Sequence, residues 1–268
     1  MNYTNCEYIS SRSNPLIVEY SKLSDKKYRD ASGLFFFEGV KLFREAVSKG
    51  ICPVSVICTE KNSFLLNEIP NEWKTRKITV TDAVYDKITN ENSPQGVFCT
   101  VKYLDNLHKF DTIYSRQILG KVFCASGVRD PGNLGTIMRS AVAFGIDTLI
   151  LSSDCADIYN PKTIRASMGS VFSLKIVRAS DMLFTVHSLR ECGYRTLSAA
   201  LDRDALPLSQ IEIDSSVAFI VGNEGQGLSG DIISASDSTV FIPMSESCES
   251  LNVAIASSLL MWELSKHK

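Results

Sequence analysis

The chain has 268 residues and a formal net charge of −2, with 44% hydrophobic and 22% charged side chains. These values are typical of a globular protein of one or two domains and exclude a protein that is basic overall, so any nucleic-acid surface must be local. Eight cysteines without a CxxC pair or zinc spacing indicate buried thiols in a reducing cytoplasm, and neither a signal peptide nor a membrane-spanning apolar run is evident.

Short apolar runs alternate with amphipathic stretches through the first hundred residues. Strands are predicted at Leu34–Phe37, Val54–Cys58, Ile78–Val80 and Val97–Tyr103. Helices are predicted at Leu16–Lys27, Val40–Ser48, Ser63–Glu68 and Asp82–Ile88. This pattern indicates a compact α/β domain over residues 1–104, and the polar stretch 105–117 is expected to be a linker.

Basic side chains cluster near the start of this first domain. They are Arg12, Lys22, Lys26, Lys27 and Arg29, with Asp25 and Asp30 among them. Two interpretations are open from the residues alone. The cluster is either a solvated helix face, which most charge runs are, or a surface that contacts RNA phosphates.

Residues 118–268 continue the alternation and form a second predicted domain. Strands are predicted at Val122–Ala125, Thr148–Leu151, Leu174–Val177, Arg195–Ala199, Val217–Val221 and Val240–Ile242. The stretch Asn160–Phe172 is expected to be a loop with one or two helical turns. This pattern predicts an α/β fold with a mostly parallel sheet and helices on both faces.

Three helices are predicted in this second domain. The first has Asn133 as a plausible N-cap and Gly145 as its C-terminal stop, because apolar residues between them recur at helical spacing. The second spans Asp181–Cys192, and the last spans Ser250–Lys266. The last helix is apolar nearly all round and is therefore expected to be largely buried.

Two of the predicted strands end in glycine-rich or polar loops. Val217–Val221 is followed by GNEGQG, Val240–Ile242 is followed by PMSES, and SLN then opens the last helix. Ligand sites form at such strand ends in parallel sheets, and glycines let the backbone approach a ligand closely. Glu224, Ser250 and Asn252 supply the side-chain polarity near these turns.

Several familiar catalytic signatures are missing from the sequence. There is no Walker or HExxH motif, and GNEGQG does not match GxGxxG. The three histidines lie outside the glycine-rich loops, which argues against a Ser–His–Asp site. Arg139 lies off the apolar stripe of its helix, where an exposed arginine is the ordinary interpretation. The residues alone thus indicate a nucleotide-like ligand in an α/β sheet.

Three ordered motifs add a family resemblance to this interpretation. The stretches DPGNLGTIMRSAVAFGID, FIVGNEGQGLS and IPMSESCESLNVAIA resemble the motifs of the SpoU branch of the SPOUT RNA methyltransferases. The stretch IRASMGSVF also resembles that family. SxxNP, the KKYRD–FFFEG–REA run and SPQG resemble its substrate-binding domain, so the resemblance covers nearly the whole chain.

The resemblance implies a fold, a cofactor and a reaction. The sheet domain would be tied in a deep trefoil knot that binds S-adenosylmethionine and forms a homodimer. Backbone groups around Gly222, Ile242 and Leu251 would hold the adenosine, with Val221 and Met244 beside them. The reaction would be methyl transfer to a ribose 2′-hydroxyl, most consistent with ribosomal RNA, and it would require no metal.

The resemblance also implies roles for the polar residues. Arg139 would be the catalytic residue, either as a proton acceptor with a depressed pKa or as a charge stabiliser for an emerging alkoxide. Asn133 would position the RNA or Arg139. Glu224, Ser250 and Asn252 would orient Arg139 and the target nucleotide.

The first domain resembles a small ribosomal-protein-like sandwich used for RNA binding, in which the basic cluster would grip phosphates. Two alternatives to ribosomal RNA methylation stay open. One is the same chemistry on transfer RNA or on a ribosomal site that confers antibiotic resistance. The other is an RNA-binding assembly factor without catalysis, against which the intact Arg139, Glu224 and Asn252 argue.

Overall fold

The chain forms two compact units. The computed structural model describes residues 6–104, 107–109 (backbone only), 120–202, 204–214, 216–245, 247–248 and 250–266. One unit holds the described residues up to Leu104 together with Tyr159–Phe172, and the other holds the remaining described residues. Within the predicted linker, Leu107–Lys109 forms a strand, and the other linker residues lie outside the described part of the chain.

The first unit is built on a mixed sheet. Its strands are β1 (Cys6–Ile9), β2 (Leu34–Glu38), β3 (Ser55–Thr59), β4 (Arg76–Val80) and β5 (Val97–Lys102). They lie in the order β1-β4-β3-β5-β2, and β5 runs antiparallel to both of its neighbours. The four predicted strands are confirmed, and β1 is an additional edge strand that the sequence pattern did not reveal.

Helices of the first unit follow the prediction with one break. They are α1 (Pro15–Ser21), α2 (Lys26–Ser32), α3 (Val40–Ser48) and α4 (Asp82–Ile88). The single helix predicted for Leu16–Lys27 is wrong, because the chain turns through a 3-10 segment at Lys22–Ser24. Asp25 then caps α2 by accepting a hydrogen bond from the Lys27 N–H at 3.1 Å. The helical fragment predicted after β3 is a 3-10 helix, Glu60–Glu68.

Helix α6 (Pro161–Ser167) belongs to the first unit although it lies late in the chain. The Tyr159 ring stacks on Phe35, with 4.6 Å between ring centroids, and on Tyr103, with 4.3 Å. Its hydroxyl accepts a hydrogen bond from the Leu104 N–H at 2.9 Å. These contacts join residues that are distant in the chain, so no single position in the sequence separates the two units. The domain boundaries given above stay a prediction.

In the described part of the second unit, eight strands form one parallel sheet, called the larger sheet below. They are β6 (Leu107–Lys109), β7 (Val122–Ala125), β8 (Thr148–Ser152), β9 (Lys175–Ala179), β10 (Arg195–Ala199), β11 (Leu206–Pro207), β12 (Val217–Val221) and β13 (Ser238–Phe241). Their order is β11-β13-β10-β12-β7-β8-β9-β6. The predicted α/β fold with a mostly parallel sheet is confirmed, whereas the trefoil knot stays a prediction.

Helices flank the larger sheet. They are α5 (Pro131–Ala143), α7 (Met182–Glu191), α8 (Gly230–Ala235) and α9 (Val253–Ser265). The predicted N-cap of α5 is wrong, because the Asp130 carboxylate accepts the Asn133 N–H at 2.8 Å and Pro131 occupies the first helical position. Gly145, with φ of 67°, follows the end of α5 as expected. The Asn133 side chain is thereby free of the capping role.

The last helix is less buried than its composition suggested. Its buried face contains Val253, Ala254, Ser257, Leu260, Met261 and Leu264. On the opposite face Ile255, Leu259 and Trp262 are 53%, 39% and 49% exposed. The expectation of a largely buried helix is therefore wrong for one face, because an apolar stripe at i, i+4 and i+7 is left uncovered.

Four of the cysteines, Cys58, Cys99, Cys124 and Cys155, behave as small buried hydrophobes, whereas Cys52 and Cys248 are exposed. All eight are free, and Cys58, Cys99 and Cys124 are completely buried in strands of the two sheets. Burial raises the pKa of Cys58 to about 12, so its thiol stays protonated at neutral pH. These cysteines therefore contribute packing rather than nucleophilic chemistry.

Candidate active site

The three motif loops leave the same edge of the larger sheet. Strands β7 and β12 are adjacent and parallel, and β13 joins them through β10. The loops that follow β7, β12 and β13 therefore start at one carboxyl edge, where ligand sites of parallel sheets form. Asn133, Glu224 and Asn252 come from these loops or from the helix starts behind them.

A continuous chain of hydrogen bonds joins those three residues. The Asn133 side-chain amide donates to Glu224 Oε1 at 3.1 Å, and the Asp130 N–H donates to the same oxygen at 3.3 Å. The Asn252 amide donates to Asn133 Oδ1 at 3.0 Å. Asn252 Oδ1 meanwhile caps α9 by accepting the Ala254 N–H at 2.9 Å. The structure thus brings together three residues that are far apart in sequence, here called the amide–carboxylate chain.

The environment of Glu224 favours its ionised form. Partial desolvation would raise the pKa of this carboxyl group, but hydrogen bonds from the Asn133 side chain and from backbone N–H groups outweigh it. The net result is a pKa below the ordinary value of 4.5. At neutral pH Glu224 is therefore a fixed acceptor that orients Asn133 rather than a proton donor.

Asn223 is a positioning residue that the sequence analysis missed. Its amide donates to the Gly127 carbonyl at 2.6 Å, which connects the loop after β12 to the loop after β7. Its Oδ1 accepts the N–H groups of Gly225 and Gln226 at 2.9 and 3.1 Å. Only its place beside Glu224 in GNEGQG could have indicated this role, because an Asn at a turn commonly bonds to the backbone two residues on.

The loop after β7 is also fixed from the side of β8. Ser152, the last residue of β8, accepts the Gly127 N–H at 2.8 Å and donates to Asp154 at 2.5 Å. Gly127 is therefore bonded through both its N–H and its carbonyl, the latter by Asn223. This double anchor sets the path of the chain into the start of α5.

Gly222 occupies a place where no side chain fits. A Cβ at this position would lie 2.2 Å from the Gly227 carbonyl carbon and 2.5 Å from the Leu228 nitrogen, both backbone atoms. Asn223 and Gly227 close the same loop by exchanging N–H and carbonyl hydrogen bonds at 3.0 and 2.9 Å. The GNEGQG loop is therefore folded tightly on itself, and the first glycine is required sterically.

The residues predicted to hold adenosine suit that ligand chemically. Ile242, Met244 and Leu251 are half-buried on the loops after β13, so they offer apolar surface beside backbone N–H and carbonyl groups. Val221 is buried at the end of β12, and its carbonyl accepts the Ser126 N–H at 2.8 Å. Ser250 is exposed. Apolar surface with a few backbone hydrogen bonds is what an adenine ring requires.

Arg139 stands apart from the amide–carboxylate chain. It is exposed on α5, and no hydrogen bond or ion pair joins it to another residue in the described ranges. Its neighbour Ser140 bonds Ser258 of α9 at 2.7 Å, so α5 and α9 are linked beside it. The predicted orientation of Arg139 by Glu224 or Asn252 is not seen within this single chain.

The basic cluster of the first unit divides into two groups. Arg12, Lys22, Lys26 and Lys27 are exposed, as phosphate contacts would require. Arg29 is 1% exposed, and its guanidinium donates to the carbonyls of Leu23 at 2.7 Å and Ser24 at 2.8 Å. The prediction that Arg29 contacts RNA is therefore wrong, because this side chain is used inside the unit.

Neither a metal site nor a membrane span is found in the part of the chain that the structure describes. Within it, no group of three or more His, Cys, Asp and Glu side chains is placed to hold a metal ion. None of the described helices combines the length and apolarity needed to cross a bilayer.

Family models match both parts of the chain. Residues 121–262 match the SpoU rRNA Methylase family, and residues 14–99 match the MRM3-like substrate binding domain. The first match contains Asn133, Glu224 and Asn252. The second contains the lysines of the basic cluster.

Similar proteins of known name cover nearly the full length. RlmP, a 23S rRNA (guanosine(2553)-2′-O)-methyltransferase of Bacillus subtilis, is 31% identical over 96% of this chain and 98% of its own. A 23S rRNA (uridine(2479)-2′-O)-methyltransferase of Streptomyces viridochromogenes is 29% identical over 95% and 90%. An AdoMet-bound rRNA methyltransferase from Sinorhizobium meliloti superposes with a TM-score of 0.85 at 28% identity, over 98% of both chains.

Proposed function

The chain belongs to the SpoU rRNA methylase family, and from this premise we propose that it transfers a methyl group from S-adenosylmethionine to a ribose 2′-hydroxyl of ribosomal RNA. The amide–carboxylate chain of Asn133, Glu224 and Asn252 carries the proposal, because it joins all three motif loops at one edge of the larger sheet. A protein that had lost catalysis would have no need to keep this set together. Action on ribosomal RNA implies a cytoplasmic location.

The protein's part in the reaction is placement and charge stabilisation. When bound, S-adenosylmethionine supplies a methyl carbon already activated by its positive sulfur. Gly222, Ile242, Met244 and Leu251 hold the adenosine through backbone groups and apolar contact. Placing the ribose oxygen in line is worth about 7–11 kcal/mol when the geometry is near attack.

Arg139 acts on the ribose oxygen as a charge stabiliser. An arginine gives up its proton only at very high pH, and no described carboxylate is paired with this one. A guanidinium that stays charged would stabilise the negative charge that builds on the ribose oxygen while the hydroxyl proton passes to solvent water. Asn133, held by Glu224 and Asn252, positions the RNA strand beside it, and Ser250 offers an exposed hydroxyl on the adjoining loop.

A second copy of this chain covers the exposed apolar stripe. Val142 on α5 is 41% exposed and lies one turn beyond Arg139, and α5 is linked to α9 through the Ser140–Ser258 hydrogen bond. A homodimer through this face would enclose Arg139 in a cleft. The variant Trp262→Asp should be monomeric by sedimentation equilibrium, whereas Phe64→Asp, at an exposed apolar site of the first unit, should leave a dimer. The proposal would be contradicted if both variants were dimeric, or if the unaltered protein were monomeric.

Ribosomal RNA is the proposed substrate, and basic side chains of the first unit would bind its phosphates. Arg12, Lys22, Lys26 and Lys27 lie within or beside the matched substrate-binding domain and suit phosphate contacts. The two named relatives methylate a guanosine and a uridine, so membership of the family does not fix the base. Shape recognition of RNA by this unit would select the nucleotide.

Methyl transfer with purified components tests the function. The full chain would be incubated with labelled S-adenosylmethionine and with ribosomal or transfer RNA from cells that lack the gene, and 2′-O-methyl positions would be mapped. We expect label at a defined nucleotide of ribosomal RNA. Label in transfer RNA alone would mean that transfer RNA, and not ribosomal RNA, is the substrate. Absence of both label and cofactor binding by calorimetry would favour an assembly factor without catalysis.

A further inference from the structure

An open groove lies between α1 and α2 of the first unit. Its cavity volume is about 650 Å³. Its lining includes the apolar side chains of Val18 and buried Leu23, together with exposed Lys22 and Tyr28. Glu19 is the acidic side chain in the lining. A groove of this shape can accept a flat ring and leave a charged backbone at its rim.

Tyr28 presents an aromatic ring with cations close to it. The side chain is 38% exposed, so part of the ring is open to solvent. Lys22 Nζ lies 5.4 Å from the ring centroid, and Lys27 Nζ lies 4.9 Å from it. An exposed ring beside positive charge is the combination that binds single-stranded nucleic acid, through base stacking and phosphate contact.

The buried side chain of Arg29 holds the backbone next to Tyr28 in place. It follows Tyr28 directly, and its guanidinium bonds the carbonyls of Leu23 and Ser24, which end the 3-10 segment before α2. The backbone between the two lysines is therefore held in one conformation. A fixed ring loses little freedom when a base stacks on it.

We propose that Tyr28, flanked by Lys22 and Lys27, is a stacking platform for one unpaired base of the RNA substrate. The proposal rests on the proposed function only in taking RNA as the substrate. The base would stack on the Tyr28 ring over the groove, and the two ammonium groups would contact the adjoining phosphates. The first unit would then recognise unpaired RNA, and duplex RNA would gain nothing from the ring.

The lysines do not block this use of the ring. An exposed cation–π contact changes an equilibrium by about 2- to 5-fold, whereas a base stacked on an aromatic side chain changes affinity by about 5- to 150-fold. An arriving base therefore displaces a lysine from the ring face. The released ammonium group gains a phosphate partner. Lys27 also lies 3.7 Å from Asp25, an exposed pair that salt weakens further.

Binding of labelled RNA by full-length variants tests the platform. The probes are a single-stranded RNA of about 12 nucleotides and a duplex of the same length. We expect Tyr28→Ala to weaken single-strand binding by about 5-fold or more, and Tyr28→Phe to restore it, because phenylalanine keeps the ring. The matched control is Tyr8→Ala, which removes a 57% exposed tyrosine of the same unit and should bind as the unaltered protein does.

Three results would each overturn the platform: equal losses for Tyr28→Ala and Tyr8→Ala, an unchanged affinity of Tyr28→Ala, or an equal loss on duplex RNA. Lys22→Gln and Lys27→Gln should lower the salt slope by about 0.7 each, whereas Tyr28→Ala should leave the slope unchanged. In the methylation assay Tyr28→Ala should raise KM for RNA more than it lowers kcat. If the protein did not methylate RNA, the binding experiment could still be interpreted. The proposed function and the Tyr28 platform can therefore be refuted separately.

Discussion

The carboxyl edge of the larger sheet and the basic segment of the first unit, which is the part of the basic cluster from Lys22 to Arg29, position their polar groups in opposite ways. At the sheet edge, Asn133, Glu224 and Asn252 bond to one another and to backbone, so each side chain has one orientation. In the basic segment, Lys22 and Lys27 extend from short helical pieces and can adapt. A reaction that needs in-line placement benefits from the first arrangement, and a grip on a polyanion is served by the second.

The largest effect should follow from removing the guanidinium of Arg139 on α5. Arg139→Ala should lower the rate of methyl transfer by about 10²- to 10³-fold, since one stabiliser of the developing oxyanion is lost. Cofactor affinity should stay near that of the unaltered protein, because the adenosine contacts lie on other loops. Single-turnover transfer and calorimetry would measure the two quantities.

The control for that experiment is Arg44→Ala, at an exposed arginine of α3 that pairs with Glu68 at 2.7 Å. It removes the same charge from the other unit and should leave the transfer rate within about 2-fold, as an exposed ion pair contributes little to stability. If Arg139→Ala lost cofactor affinity in proportion to rate, the separation of binding from chemistry would be wrong.

A smaller loss is expected from adding one methyl group to the tight loop. Gly222→Ala places a Cβ against the backbone of Gly227 and Leu228, so the loop must move. Overpacking of this kind costs about 1–3 kcal/mol, and we expect cofactor affinity to fall by about 10-fold or more. Gly225→Ala is the matched control in the same loop, because its nearest neighbour would be the Asn223 Oδ1 at an ordinary 3.6 Å. Equal affinities for the two variants, measured by calorimetry, would mean that the loop is not rigid.

The smallest effect on function, with a clear effect on stability, should come from the buried member of the basic segment. Arg29→Met removes a donor to the Leu23 and Ser24 carbonyls and should destabilise the first unit by about 2–3 kcal/mol. Lys26→Met, at an exposed site two residues after Ser24, should cost less than about 0.5 kcal/mol. Urea unfolding measures both. If Lys26→Met were the more destabilising change, the contrast between side chains that are held in place by hydrogen bonds, such as Arg29, and the exposed lysines would be wrong.

Local patterns predicted the parts of this fold that depend on local interactions. The strands and the polar loops at their ends follow from apolar runs and turn residues, so the three motif loops could be placed at one edge from sequence. The N-cap of α5 was within reach too, since Asp130-Pro131 is the usual sequence of a cap followed by a first-turn proline. Asn133 was instead assigned the cap because it directly precedes the apolar stripe.

Other features depend on contacts that no local pattern contains. In sequence Arg29 is one more basic residue of a charge run, and only the turn at Lys22–Ser24 brings two carbonyls to its guanidinium. The two faces of α9 are equally apolar in sequence, so which one is buried is decided by α5 and β12. Likewise, Tyr159 joins the first unit through rings at Phe35 and Tyr103, far away in the chain.

One amide group ties α9, the helix through which we propose that two subunits pair, to the candidate active site. Asn252 starts α9 with its oxygen and holds Asn133 with its nitrogen. Aspartate would begin the helix equally well but has no donor for Asn133, and the shorter serine or threonine hydroxyl cannot reproduce the span of an amide. If two subunits pair through α9 as proposed, any tilt of this helix would be transmitted through Asn252 to Asn133, and from there to the proposed placement of the RNA.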